Sequence, residues 1–156
     1  MNIYLATSWR NVYQAEVLAF LRHAGHEVYD FKNPVAGNTG FSWKQISEQS
    51  IETGADLRQV LAHPIAQKGF ELDYQAMQWA DMCVLLLPCG NSAHLEAGWF
   101  SGQGKAVAVY CPELREPELM YKCFDSPEHK TPLFVTLEAL DRHIKQRSNS
   151  DRRSGT

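Results

Sequence analysis

The sequence predicts a three-layer α/β domain on a mostly parallel sheet, flavodoxin- or Rossmann-like in architecture. Three observations predict it. Strand-like and helical segments alternate from the first residues onward. The first strand, helix and second strand fit within about thirty residues, a βαβ unit whose crossover implies parallel pairing. Two continuous apolar runs, 82–87 (MCVLLL) and 106–110 (AVAVY), read as central strands buried on both faces.

The elements follow in order. Asn2 to Thr7 (NIYLAT) is the first strand. Ser8 and Asn11 are helix-capping residue types, and Val12, Ala15, Leu18 and Ala19 then recur at helical spacing as far as Leu21. Gly25 closes that helix, and His26 to Phe31 (HEVYDF) is the second strand. Residues 32–43 hold Pro34, Gly37 and Gly40 in a loop too long for a simple connection, and such loops in compact domains carry function. Helices are expected over 43–64 and 67–80, broken near Pro64, with Asp81 turning the chain into the third strand at 82–87. Pro88 to Asn91 make a tight turn, Ala93 to Gln103 a helix closed by Gly104, and 106–110 the fourth strand. A proline-containing loop (111–117) leads into an irregular stretch up to Pro132. Leu133 to Val135 suits a short edge strand, and Thr136 caps a last helix running to Gln146. The chain is therefore expected to form a single domain over 1–146, with 147–156 as a polar, disordered tail.

The 156 residues suffice for one domain with a real core. The net charge of −3 conceals a basic end: residues 147–156 carry three arginines against one aspartate, so the preceding body is more acidic than the total. That balance excludes a broad nucleic-acid-binding face and leaves room for a small anionic ligand held by local groups. No apolar run reaches the length needed to span a bilayer, and no basic segment followed by an apolar stretch opens the chain, so a cytoplasmic protein without membrane contact is expected. Cys83, Cys89, Cys111 and Cys123 form no Cys-x-x-Cys pair, and reduced thiols and no metal site are expected.

In parallel α/β sheets ligands bind beyond the carboxyl ends of the strands. Loops 7–11, 31–43, 88–92 and 111–117 meet there. The chain lacks a P-loop, a Gly-x-Gly-x-x-Gly after its first strand and a Gly-x-Ser-x-Gly elbow. The informative stretch is 85–99 (LLLPCGNSAHLEAGW), where a buried strand, a turn and a helix start follow one another. Glu96 falls in the first helical turn or just past it, where the helix dipole favours negative charge, so it reads either as a reactive carboxylate or as an ordinary acid at a helix start. Asn91 and Ser92 can offer a helix N-terminus to phosphate, or serve as caps. Arg10 can meet an anion bidentately or lie on the surface. Trp9, Phe41 and Trp43 lie on loops where aromatic rings can stack on a base, and Trp43 can equally anchor the helix after it. Tyr4 in the first strand suits a core position, and Asp73 on the helix before the third strand suits solvent.

Taken together, IYLATSWR at 3–10, the Asp73 segment ending in WAD at 79–81, CVLLL at 83–87 and HLEAGWFSGQGKAVAVY at 94–110 resemble the nucleoside 2-deoxyribosyltransferase superfamily, including its nucleotide N-hydrolase branch. The resemblance covers residues 2–110. It implies that Glu96 attacks or stabilises an anomeric carbon, that Tyr4 orients it and that Asp73 assists departure of the base. It further implies that Ser8 and Arg10 hold a 5′-phosphate, with Ser92 as a further phosphate contact. The implied reaction is hydrolysis of the base–sugar bond of a (deoxy)nucleoside 5′-monophosphate, without a cofactor. The partner is a small nucleotide or nucleoside, not a nucleic acid polymer, and the implied assembly is a homodimer. The chemistry is consistent with the residue types: a carboxylate meets the positive charge that develops on the sugar, and a protonated acid neutralises the departing base. Base exchange between deoxynucleosides shares the first step. A non-catalytic nucleotide-binding module would need Ser8 and Arg10 but not Glu96, and an NAD-cleaving domain would also use a glutamate.

Overall fold

The computed structural model describes residues 1–46, 56–127, 130 and 132–154. They form two compact units, one made of Met1–Tyr29 with Ala80–Thr156 and the other of Asp30–Trp79.

The first unit is a five-stranded sheet, β1 (Asn2–Ala6), β2 (Glu27–Tyr29), β3 (Met82–Leu86), β4 (Ala106–Tyr110) and β5 (Leu133–Phe134). The strand order is β2-β1-β3-β4-β5 and every pair is parallel, which confirms the predicted α/β class. Tyr4 pairs with Cys83 and Leu85 with Val109 in the central register. Three helices of this unit, α1 (Gln14–His23), α4 (Asn91–Gly102) and α5 (Leu137–Ser154), cover the sheet. Alternation along the strands divides their side chains between two faces. Ile3, Leu5, Met82, Val84, Leu86 and Ala108 pack with Val17 and Leu21 of α1 and with Leu140 and Ile144 of α5. Tyr4 points to the other face, where its ring meets Phe100 of α4 at 5.7 Å between centroids. The sheet is thus sandwiched between helix layers.

Helix ends follow local chemistry. Asn11 Oδ1 accepts the Tyr13 N–H at 2.8 Å just ahead of α1. Gly25 ends the turn after α1 at φ +92° and Gly104 the turn after α4 at φ +71°, a region that favours glycine. Beyond Gly104, Lys105 Nζ donates to the Ala80 carbonyl (2.7 Å) and lies 5.5 Å from the centre of the Phe100 ring, tying the end of α4 to the start of β3. Asp81 Oδ2 accepts the Asn2 N–H at 2.8 Å and serves the turn, as expected. Thr136 Oγ1 accepts the Ala139 N–H at the start of α5. That helix continues to Ser154, past the end expected at Gln146. The irregular stretch before Pro132 contains a 3-10 segment, Leu119–Phe124, that the apolar pattern does not signal.

The second unit holds a 3-10 turn at Trp43–Gln45, the short helix α2 (Leu57–Leu61) and the long helix α3 (Pro64–Trp79). Of the helix expected over 43–64, residues 47–55 lie outside the described residues. The expected break near Pro64 is real, but Pro64 opens α3 instead of preceding it. Proline suits a first helical position because its missing N–H would have no partner there. Phe41 packs on Ile46, Val60 and Ala66. It also lies so close to α3 that a Cβ on Gly69 would come within 2.7 Å of the Phe41 Cβ. Among the described residues no helix is long and apolar enough to cross a membrane.

Two outcomes are expected. Gly69→Ala lowers stability in chemical denaturation by about 1–3 kcal/mol through the clash with Phe41. Gly98→Ala, where a Cβ meets nothing within 4 Å, raises stability by about 0.5–1 kcal/mol as mid-helix alanine normally does. Equal effects at the two sites contradict the close approach. The second outcome concerns His26, buried before β2 with Nε2 3.3 Å from Asp141 Oδ1, while Lys145 Nζ donates to Asp141 Oδ2 at 2.7 Å. Burial holds the His26 pKa below the ordinary value of 6.5, against the hydrogen bond to Asp141, which raises it. The unfolded chain therefore binds the proton first as pH falls. The His26 contribution is complete above 6.5 and is lost as pH drops through the folded-state pKa. Unfolding midpoints measured from pH 7.5 down to 5 should show a shallower loss in His26→Gln than in the parent.

Candidate active site at the β1–β3 edge

In this strand order the chain leaves β1 toward β2 and leaves β3 toward β4, so a crevice opens beyond their carboxyl ends. Two loops line it, 7–13 and 87–90. They are joined through Asn11, which is 5% exposed. Its Nδ2 donates to Thr7 Oγ1 (2.9 Å) and to the Pro88 carbonyl (3.0 Å), with the Leu86 carbonyl at 3.4 Å. Thr7 Oγ1 in turn donates to the Leu86 carbonyl at 2.8 Å. Ser8 closes the same loop: its carbonyl accepts the Asn11 N–H and its Oγ the Arg10 N–H, at 3.0 and 3.2 Å. Trp9 and Arg10 are left exposed at the tip.

Across the crevice, α4 begins at Asn91 with Gly90 as its N-cap, so no side chain caps it. This corrects the capping role considered for Asn91 and Ser92. Gly90 takes the extended backbone of the cap, and both residues sit exposed inside the first turn with their N–H groups at the helix start. The early start also moves Glu96 to the second turn, beyond the ordinary place for a dipole-favoured acid. Its neighbours explain its position better. Ala93, Ala97 and Phe100 form the buried face of α4, and Glu96, half-buried, lies on that face one turn before Phe100. Phe100 packs on Tyr4, so Glu96 sits beside the carboxyl end of the sheet. Two cysteine thiols feel the Glu96 charge. Burial pushes the Cys83 thiol in β3 far up, and the Glu96 carboxylate adds to the shift. The Cys89 thiol is pushed up to about 11, again by burial first and Glu96 second.

Tyr4 is 1% exposed, with its ring stacked on Tyr29 at 5.4 Å as well as packed on Phe100. In the second unit, Asp73 lies on α3. At 100° per residue it shares a face with Ala66, Ala76 and Met77, all buried, and it is half-buried instead of exposed as its helix position alone suggested. Trp43, in the same unit, is 43% exposed and meets Phe41 edge-to-face at 4.9 Å. Tyr4 on β1, Ser8, Trp9 and Arg10 on the loop after it, and Asn91, Ser92 and Glu96 on the first turns of α4 all belong to the first unit. Asp73 and Trp43 belong to the other unit.

Contacts of α4 with the 3-10 segment 119–124 escape sequence reasoning. His94 Nδ1 lies 3.0 Å from the Gly90 carbonyl and 3.5 Å from Cys89 Sγ, and Nε2 lies 3.0 Å from Tyr121 Oη. With Nδ1–H donating to the carbonyl, Nε2 accepts the Tyr121 hydroxyl proton. Burial and then the nearby Cys89 thiol push Tyr121 up to about 12. Ser101 Oγ donates to the Cys123 carbonyl at 2.7 Å, so the 3-10 segment is fastened along α4 at two points. Nothing in the composition of 119–124 signals this. Among the described residues no group of three or more His, Cys, Asp or Glu side chains is placed to hold a metal ion.

No protein-family model matches the chain, and no curated protein matches its sequence. Solved structures do match its fold. A 2-deoxyribosyltransferase from the psychrotolerant bacterium Bacillus psychrosaccharolyticus superposes with a TM-score of 0.58 at 20% identity, over 89% of each chain. A CMP N-glycosidase from Clostridium botulinum matches with a TM-score of 0.48 at 15% identity, over 92% of this chain and 97% of that one. The chain has the fold of the first.

Asn11→Ala is expected to lower stability by about 2–4 kcal/mol, since it removes the bonds that the buried amide makes to the Pro88 carbonyl, to Thr7 Oγ1 and to the Tyr13 N–H. Thermal or chemical unfolding checks this, and a loss below about 0.5 kcal/mol would show that water replaces the amide without cost.

Proposed function

We propose that the chain is an N-glycosidase that cleaves the base–sugar bond of a nucleoside or deoxynucleoside 5′-monophosphate. The observation that carries this reading is the position of Glu96, half-buried on the inner face of α4 one turn before Phe100, whose ring packs on Tyr4 of β1. Breaking the bond sends its electron pair to the base and leaves positive charge on the anomeric carbon. Glu96 meets that charge as a carboxylate or bonds to the carbon as a glycosyl ester. Asp73 gives its proton to the departing base. Water then supplies hydroxide to the anomeric carbon, and its remaining proton restores the acid.

The other residues take supporting roles in this reading. Tyr4 fixes the wall behind Glu96. The exposed guanidinium of Arg10 suits a phosphate dianion, to which planar paired donors fit well. The Ser8 loop and the first-turn N–H groups of Asn91 and Ser92 add donors on either side. Trp9 and Trp43 contact the base or sugar. The reaction needs no metal or cofactor, and the working form is a cytoplasmic homodimer. The fold shared with a 2-deoxyribosyltransferase favours one second reading, base exchange, in which another base takes the place of water.

Base release from ribo- and deoxyribonucleoside 5′-monophosphates, followed by chromatography, tests this. Glu96→Gln should lower kcat about 10²–10⁴-fold with its melting temperature unchanged. Release confined to reactions with an added acceptor base selects the exchange reading. Undiminished release by Glu96→Gln refutes the assigned role of the glutamate.

A further inference from the structure

On α3, Phe70 and Tyr74 stand one turn apart and stack at 5.4 Å between ring centroids, with planes 17° from parallel. Stacked aromatic pairs at this spacing stabilise a helix, but that does not account for the exposure of Phe70. Its ring is 57% exposed, while the inner face of the same helix is lined by Ala66, Ala76 and Met77. Asp73 lies between the two aromatic positions, three residues after Phe70 and directly before Tyr74. At 100° per residue the helix places Asp73 beside Phe70 and Phe70 beside Tyr74, so an acid and an open aromatic stack occupy adjacent strips of one helix surface.

We propose that Phe70, backed by Tyr74, is the platform on which the nucleobase stacks, and that it sets the preference among bases. This rests on the assignment of Asp73 to the departing base. A heteroaromatic base receives a proton at a ring nitrogen, in its own plane, and offers its flat face at right angles to that direction. An acid at the edge and an aromatic ring at the face therefore serve one base together. Stacking strength rises with ring area, so purine nucleotides bind better than pyrimidine nucleotides.

Titration calorimetry with adenosine and cytidine 5′-monophosphates, alongside KM and kcat for base release, tests the proposal. Phe70→Leu keeps the bulk and apolar character of the side chain and removes the ring. It should weaken adenosine 5′-monophosphate binding and raise its KM by about five- to a hundred-fold, leave kcat within about twofold, and narrow the purine preference. Phe70→Tyr should restore the parent values. Unchanged binding by Phe70→Leu, or a change in oligomeric state with binding intact, overturns the proposal and makes Phe70 a protein contact. The two readings fail separately. If the parent releases base but Phe70→Leu binds normally, the platform is wrong and the glycosidase stands. If the parent binds nucleotide through Phe70 without releasing base, the platform stands and the glycosidase falls. If the parent binds no nucleotide, both fall.

Discussion

Two loops that meet beyond β1 and β3 must hold their positions without a regular strand ladder, and the buried amide of Asn11 does this for both. It gives protons to one side chain of its own loop and to the backbone of the other, and it accepts the first N–H group before α1. Each of these groups is costly to bury unpaired, so the arrangement has few alternatives. The path of the 7–13 loop follows from it, and with that path the exposure of Trp9 and Arg10. The turn that launches α4 is fixed by the same contacts.

Glu96 depends on that turn. Because α4 starts at Asn91 under a glycine cap, its inner face carries Ala93, Glu96, Ala97 and Phe100 in succession. Small residues flank the glutamate and a large ring lies one turn further on, against Tyr4. Lys105 and Ala80 fasten the far end of the helix, and His94 with Tyr121 and Ser101 with Cys123 fasten its side. A carboxylate held this way is partly withdrawn from water, and it adds to the upward shift of two neighbouring thiols. Such a charge is suited to meeting a positive charge that appears only during reaction.

Most of the first unit was legible in the sequence because its signals are local. The runs 82–87 and 106–110 are apolar throughout since both faces of a central parallel strand are covered, and Gly25 and Gly104 sit where helix ends need a positive φ. The site was legible only as residue types. Asn11 was visible as a helix-capping residue, but its partners at Leu86 and Pro88 lie far along the chain, and no local pattern reveals a bond of that span. The starts of α3 and α4 were misjudged for a related reason: a proline can open a helix as well as break one, and Gly90 caps without a side chain. The segment 119–124 becomes helical through contacts with α4, and Asp73 proved half-buried because its neighbours four and seven residues away face inward.

The central claim is that a nucleotide binds where β1 and β3 diverge. Backbone amide shifts followed by nuclear magnetic resonance during titration with a nucleoside 5′-monophosphate test it most directly. The account predicts the largest changes at residues 7–11 and 88–96, on both loops that Asn11 joins. Changes confined to the opposite, amino-terminal ends of the strands, around His26 and Asp81, would contradict it.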